Sequence, residues 1–272
     1  MSTPEHHTNQ KRVDPERSAQ SGTKGRVCSL LAADHLEDLR RSGLSDATIE
    51  AWGCFSIRPQ DRHFLKAFAK GVEPPGLALP ILPPGALEHL GFTYKPDNPR
   101  ISEKNGRTLK YESPRGCLNR LHVPRGAHWL FRPPDGREGR RRIVITEGQK
   151  KAEKAVQEGV GCVSLFGVWS WFLKFGDESI PIEELSGIDW TRYSVEICFD
   201  SDTVSKPQVR RAERALSKWL LGRGAEVAIV RIPPGESGAK VGLDDYLLTH
   251  SAADFEALER LSGVVEPPLQ GS

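Results

Sequence analysis

"RRIVITEGQKKAEKAV", residues 141–156, runs Ile143, Val144 and Ile145 into a threonine, an acid, a glycine and, one residue on, a pair of lysines. An unbroken β-branched run of this length reads as a strand buried on both faces. "EGQKKAEKAVQEG" behind it reads as a helix closed by Gly159. A strand that ends in Glu147 with a helix starting at once is one unit of an open parallel sheet. In such sheets the ligand site lies beyond the carboxyl ends of the strands.

The alternation continues downstream. "CVSLFG" is a second strand, and a loop with "VWSWFLKFG" and a short helix near "IEELSG" follow. "SVEICFDSD" is a third strand and "KPQVRRAERALSKWLLGRG" a long helix, whose Val209, Ala212, Leu216, Trp219 and Leu220 share a face. "EVAIVRI" is a fourth strand, and "SAADFEALERL" a final helix. Strands alternating with helices predict an α/β fold, a parallel sheet flanked by helices on both faces. Upstream, residues 59–134 are dense in Pro and Gly. Their strand-like pieces "LALPIL", "HLGFTYK" and "RLHVP" predict a small irregular sheet. Two short helices precede it between Val27 and Gly53, the second capped by Ser45. Such a pair serves DNA binding in some proteins and plain packing in more. The expected division is a disordered tail at 1–25, a smaller α+β domain at 26–134, a linker at 135–141, the α/β domain at 142–262 and a tail at 263–272.

With 272 residues, 27% charged, and a net charge of +2, the chain carries no global polyanion-binding signature, so local patches must supply one. Its five cysteines, Cys28, Cys54, Cys117, Cys162 and Cys198, form no C-x-x-C pair, and the histidines show no ligand spacing. Neither a zinc site nor a disulfide framework is expected. No apolar run reaches the roughly 18 residues of a membrane span, and the opening segment has no signal-peptide core, so a cytoplasmic protein without membrane contact is expected.

The first strand ends in Glu147, the third in Asp200 and Asp202. Side chains two apart in extended backbone point the same way, so the two aspartates can share one site with Glu147. Three carboxylates at neighbouring tips call for a cation, and a hard divalent ion, Mg2+ or Mn2+, suits an oxygen donor set. Gly148 allows the chain to turn tightly into the helix, and Lys150 and Lys151 on its first turn are placed to meet phosphate charge. Alternatively, each acid merely caps a helix.

"IVITEG" followed by "ICFDSD" resembles the Toprim domain of primases, topoisomerases and some nucleases, over about residues 142–250. Upstream, "LALPILPPG", "GRTLKYESPRG" and "NRLHVP" resemble the segment before Toprim in bacterial-type primases. Together with "GVWSW", "RRAERAL" and "KVGLDDYL", these blocks are most similar to an uncharacterised Toprim-like family of phage and plasmid primase or primase-helicase proteins. The resemblance implies a Toprim-type parallel sheet, Glu147 as acid/base or metal organiser, and Asp200 and Asp202 as the metal-binding pair. It also implies further site residues at Lys240, Asp244 and Asp245, although Asp244 could instead cap the helix "DYLLTH". The implied activity is metal-dependent nucleotidyl transfer, primer synthesis from nucleoside triphosphates on single-stranded DNA in mobile-element replication. A nuclease using the same acids and a non-catalytic nucleic-acid-binding subunit are the alternatives; a topoisomerase would need further machinery. The replicative primase's zinc finger has no counterpart, and no G-x-x-x-x-G-K-[ST] loop occurs, so a separate helicase is the expected partner. Arg141, Arg142, Arg210, Arg211 and Arg214 are candidates for a template groove, with Trp129, Phe131, Trp169 and Trp171 as stacking faces; the same residues could instead serve solubility and core packing.

Overall fold

The computed structural model describes residues 30–86, 88–103, 106–133 and 139–263. The expected N-terminal tail at 1–25, residues 134–138 at the expected linker and residues 264–272 lie outside them.

The N-terminal half opens with α1 (Ala33–Arg41) and α2 (Asp46–Trp52). The Ser45 side chain accepts a hydrogen bond from the Thr48 amide at 3.2 Å and so caps α2, and Gly53 ends it at φ 80°, a conformation glycine adopts without a Cβ clash. Three antiparallel strands follow: β1 (Phe55–Ile57), β2 (Gly76–Ile81) and β3 (Gly91–Pro96), with β2 in the centre. β2 is buried along its whole length because both faces are covered. Leu77 and Leu79 pack with Leu36, Leu39, Ile49 and Trp52 of the helices, while Ala78 joins Phe68 and Tyr94 on the other face. The helix pair is therefore a lid on this sheet. "RLHVP", expected as a strand of the same sheet, instead makes an isolated bridge between His122 and Ser164, reaching the edge of the second sheet.

The second half contains β4 (Arg141–Glu147), α3 (Gln149–Gln157), β5 (Cys162–Leu165), β6 (Phe172–Phe175), β7 (Glu178–Pro181), α4 (Glu183–Ser186), β8 (Tyr193–Ile197), α5 (Pro207–Gly222), β9 (Glu226–Val230), α6 (Leu243–Thr249), α7 (Ala252–Glu256) and β10 (Arg260–Ser262). Its sheet has the order β10-β9-β8-β4-β5, parallel except for β10. Alternate residues of β4 feed two cores. Ile143 and Ile145 pack with Leu216 and Leu220 of α5, whereas Val144 packs with Ala152 and Ala155 of α3 and Leu247 of α6. This double covering explains why β4 reads as a continuous apolar run.

Two expectations fail locally. The aromatic loop after β5 forms a hairpin, β6–β7. The expected final helix stops at Glu256, and the chain turns into edge strand β10. Pairing with β9 satisfies edge backbone groups of that strand, and Arg260 gains Glu196 at 2.9 Å, contacts a longer helix would forfeit.

After β4 the chain places β5 on one side and returns to place β8 on the other, so strand order reverses between β4 and β8. A crevice at such a switch point is where ligands bind in open α/β sheets. The N-terminal half closes over this edge through α3. Buried Gln149 donates to the Pro80 carbonyl at 2.8 Å and accepts from Thr93 Oγ1 at 2.5 Å. At the helix's other end, the Gln157 side-chain oxygen accepts from the Ser45 amide at 2.7 Å and from Thr48 Oγ1 at 2.8 Å. Between them, His122 contacts Glu153 at 3.1 Å, both buried. The helix that follows Glu147 is thus the joint between the two halves.

Candidate active site at the carboxyl edge of the second sheet

Glu147 is the last residue of β4 and stands half-buried beside Leu165 of β5. Gly148 follows at φ 98° and hydrogen-bonds through its amide to the Leu165 carbonyl at 2.8 Å. A Cβ at Gly148 would meet nothing, so glycine is required by backbone conformation, and the start of α3 faces open space. Asp200 lies just beyond β8 and is only 4% exposed. Its carbonyl accepts from the Thr203 amide at 3.0 Å and Thr203 Oγ1 at 2.7 Å, which folds Ser201–Val204 into a 3-10 turn rather than the extended backbone expected for this segment. That turn is tied to the loop before α6: the Ser201 amide donates to the Val241 carbonyl at 2.9 Å, and the Val241 amide to Ser201 Oγ at 2.8 Å.

The result is a cluster of alternating charge. Lys151 of α3 holds Asp200 Oδ1, and Lys240 holds Asp200 Oδ2 at 2.6 Å. Lys240 also lies 4.0 Å from Asp202, whose Oδ2 is paired with Lys206 at 2.5 Å. Asp244 completes the group. A Cβ at Gly242 would lie 2.7 Å from Asp244 Oδ1, 2.7 Å from Lys151 Cε and 3.3 Å from Asp200 Oδ1, so these three side chains converge where only glycine fits. Asp245, not Asp244, caps α6, accepting from the Gly242 amide at 2.9 Å.

Burial raises the Glu147 carboxyl above 4.5, and Asp200 and Asp202 push it the same way against Lys151 and Lys240. Burial likewise raises Asp244. Lys240 is raised overall: burial lowers it, but its hydrogen bond to Asp200 and the charges of Asp200, Asp202 and Glu147 outweigh that. A carboxyl whose folded pKa exceeds its unfolded value weakens the fold as pH climbs from the unfolded value through the folded one. Glu147→Gln is therefore expected to melt above the parent at pH 7–8, by on the order of 2–3 °C. The advantage should close as pH falls toward 4. Thermal unfolding in chelator across that range measures it, and a pH-independent difference would refute the assigned environment.

Not every sequence candidate reaches this cluster. Lys150 turns toward the N-terminal half and pairs with Asp38 at 3.1 Å, which Lys95 also holds at 2.8 Å. Arg142 is the second residue of β4, at the opposite end of the strand, five residues and about 16 Å from Glu147. It grips Glu196 with two bonds of 2.8 Å and also pairs with Glu256. Arg141 donates to the carbonyls of Leu130 at 2.9 Å and Arg132 at 2.6 Å. Both arginines form structural clasps at the end of the strand away from the acids, so the structure does not bring these two template-groove candidates to the acidic cluster. Arg210, Arg211 and Arg214 are exposed on α5, with Arg210 and Arg211 on its first turns beyond Asp202. Of the aromatic candidates, Trp171 is buried, Phe131 packs against the core, and Trp129 and Trp169 are exposed.

Sequence reading missed Asp38, Lys95 and Tyr111. Tyr111 remains 48% exposed overall, and desolvation, then the carboxylates of Asp38 and Asp244, push its hydroxyl up to about 12. It also missed His35, whose ring contacts Asp97 at 2.8 Å and Ser56 at 2.7 Å. Asp34, His35 and Asp97 bring potential ligand atoms within 4.8 Å of one another. With both ring nitrogens engaged, His35 serves as a pin of α1 to the first sheet. These partners are distant in sequence, so no local pattern announces them.

Residues 139–254 match a family described as a domain of unknown function, DUF3854. No curated protein matches the chain. Solved structures share its fold. The zinc-binding and RNA polymerase domains of Aquifex aeolicus primase align with a TM-score of 0.57 at 16% identity, over 88% of this chain and 60% of that one. The chain thus spans less than two thirds of that neighbour. The RNA polymerase domain of Mycobacterium tuberculosis primase DnaG gives 0.55 at 16% identity, over 89% of this chain and 82% of that one. A DnaG primase catalytic domain solved bound to ssDNA gives 0.55 at 15% identity, over 89% and 80%. The architecture is a mixed α/β fold with a largely parallel sheet, similar to primase catalytic domains. Among the described residues, no helix is long and apolar enough to cross a membrane.

Proposed function

We propose that this chain is a primase-type nucleotidyltransferase of Toprim character, which joins nucleoside triphosphates into a primer on single-stranded DNA. One observation carries the reading: Glu147, Asp200, Asp202 and Asp244 meet Lys151 and Lys240 at the β4/β8 switch point. A pocket of carboxylates alone would suit metal storage or transport equally; acids interleaved with lysines beside the start of a helix suit a triphosphate and its counter-ion.

The donor set fits Mg2+ or Mn2+. All candidate ligands are carboxylate oxygens, and ammonium groups on both oxygens of Asp200 mark a place already organised for positive charge. Asp200, Asp202 and Asp244 would hold the ion, which when bound would neutralise triphosphate charge and favour ionisation of the attacking hydroxyl. Glu147, with its raised carboxyl, accepts the proton of the primer 3′-hydroxyl as that oxygen attacks the α-phosphorus and pyrophosphate departs. Lys151 and Lys240 take up charge on the phosphates. The exposed Arg210, Arg211 and Arg214, with Trp169, offer a basic and aromatic approach to the site for a single strand such as the one bound by the DnaG neighbour.

The test combines purified protein, labelled nucleoside triphosphates, single-stranded DNA and Mg2+ or Mn2+. Short labelled products are the expected result. Shortened template would favour a nuclease with the same acids, and binding with neither change would make the chain an accessory subunit; either overturns the primase reading.

A further inference from the structure

We infer that Lys240 is an exchangeable counter-charge of Asp200, released to the nucleotide's phosphates when a divalent cation takes the acids. This rests on the proposed function and adds a regulation of its site: cation and triphosphate bind cooperatively through one lysine.

Both oxygens of Asp200 carry an ammonium partner, so a cation that ligates Asp200 meets the repulsion of two lysines, which is relieved when one of them leaves. The two lysines differ in their freedom to leave. Lys151 is only 18% exposed, rises from α3, and has its Cε packed against Gly242. Lys240 is 55% exposed and sits on the connection between β9 and α6, just after a tight turn in which Ser237 adopts φ 55°. Moving Lys240 disturbs no packed helix; moving Lys151 disturbs the joint between the halves.

The same lysine lies 4.0 Å from Asp202 and feels Glu147 as well, so it is attracted by the acids that would receive the ion. The trio of described groups with ligand atoms within 4.8 Å lies elsewhere, at Asp34, His35 and Asp97. The carboxylates of the site are thus spaced by lysines rather than gathered as a ready ligand shell. An incoming cation repels Lys240 from that position, and a terminal phosphate at the same edge gives the freed ammonium a new partner. Linkage makes the effect reciprocal, since whatever triphosphate binding gains from a free Lys240, cation binding gains from triphosphate.

Two measurements on the full chain test this. Lysine reactivity toward a small amine-acetylating reagent, read residue by residue by mass spectrometry, should rise at Lys240 on adding Mg2+. It should fall again on adding Mg2+ with a non-hydrolysable nucleoside triphosphate, while Lys218 on α5 stays constant as reference. In parallel, Lys240→Met should bind Mn2+ about tenfold more tightly than the parent in the absence of nucleotide, within the usual range of site coupling, and Lys240→Arg should restore parental affinity. Titration showing bound cation with unchanged Lys240 reactivity, or equal Mn2+ affinity in Lys240→Met, overturns the exchange while leaving the acidic site intact. No cation binding to parent or variant would instead overturn the reading on which the exchange rests, and the exchange with it.

Discussion

Asp200→Asn is expected to lower primer synthesis by roughly three orders of magnitude or more while the protein still folds. The loss follows from electrostatics. Asp200 is the most buried acid of the cluster and the one both Lys151 and Lys240 hold, so its charge positions the site's cations whatever their chemical identity. Stabilisation by a bound ion is worth several kcal/mol, and about 4 kcal/mol corresponds to roughly a thousandfold in rate. Asparagine keeps the shape and one acceptor oxygen, so the fold should lose only about 1–2 kcal/mol, the scale of a charged hydrogen bond exchanged for a neutral one. A neighbouring acid provides the contrast. Asp245→Asn removes charge from a helix cap at the Gly242 amide, and should cost at most about 1 kcal/mol of stability with turnover retained. Steady-state incorporation and thermal melting of both variants decide the matter. Comparable turnover in the two aspartate variants would remove Asp200 from the mechanism.

Glu196→Leu should damage the fold severely although the residue lies outside the apolar core. Glu196 is 5% exposed and balances two guanidiniums, Arg142 through two bonds of 2.8 Å and Arg260 at 2.9 Å, both lying near the Phe255 ring. Removing the shared acid leaves the two guanidiniums with only the more exposed Glu256 between them, and breaking such a buried pair costs about 3 kcal/mol or more. For a protein of this size that is a fall in Tm of roughly 6–12 °C. Template affinity, measured below the melting range, should stay unchanged, because this clasp is at the sheet edge away from Glu147. If affinity drops while Tm holds, Arg142 belongs to a nucleic-acid surface after all.

The two arginine pairs show where reading from sequence stops. Arg141 and Arg142 look like part of a basic patch because they stand beside "GREGR" in the chain, yet they lie at the start of β4 while Glu147 lies at its end. Arg210 and Arg211 stand 69 residues further on and share the edge with Asp202 because α5 starts there. Proximity in sequence says little about charge partners when those partners come from other strands. Lys150 is a similar case: adjacent to Lys151, it points to Asp38 instead, since neighbours on a helix are about 100° apart. The failure of the last helix has the same origin, for the competing strand contacts with β9 and Glu196 are tertiary.

What the sequence determined alone was the local alphabet. The apolar run before Glu147, the 3–4 spacing of Ala212, Leu216 and Leu220, and Gly148 at the turn reflect periodicity and backbone freedom, properties of short segments that hold in any surroundings. The placement of acids at strand tips belongs here too, because a parallel sheet puts all such tips on one side. Only the tertiary structure decided which charges meet. The order β9-β8-β4-β5 set Glu147 beside Asp200, the bonds between Ser201 and Val241 brought Lys240 and Asp244 to them, and Gln149 fastened the N-terminal half over the edge. Coulomb attraction depends on distance in space and on the surrounding dielectric, and neither is written in the spacing of residues along a chain.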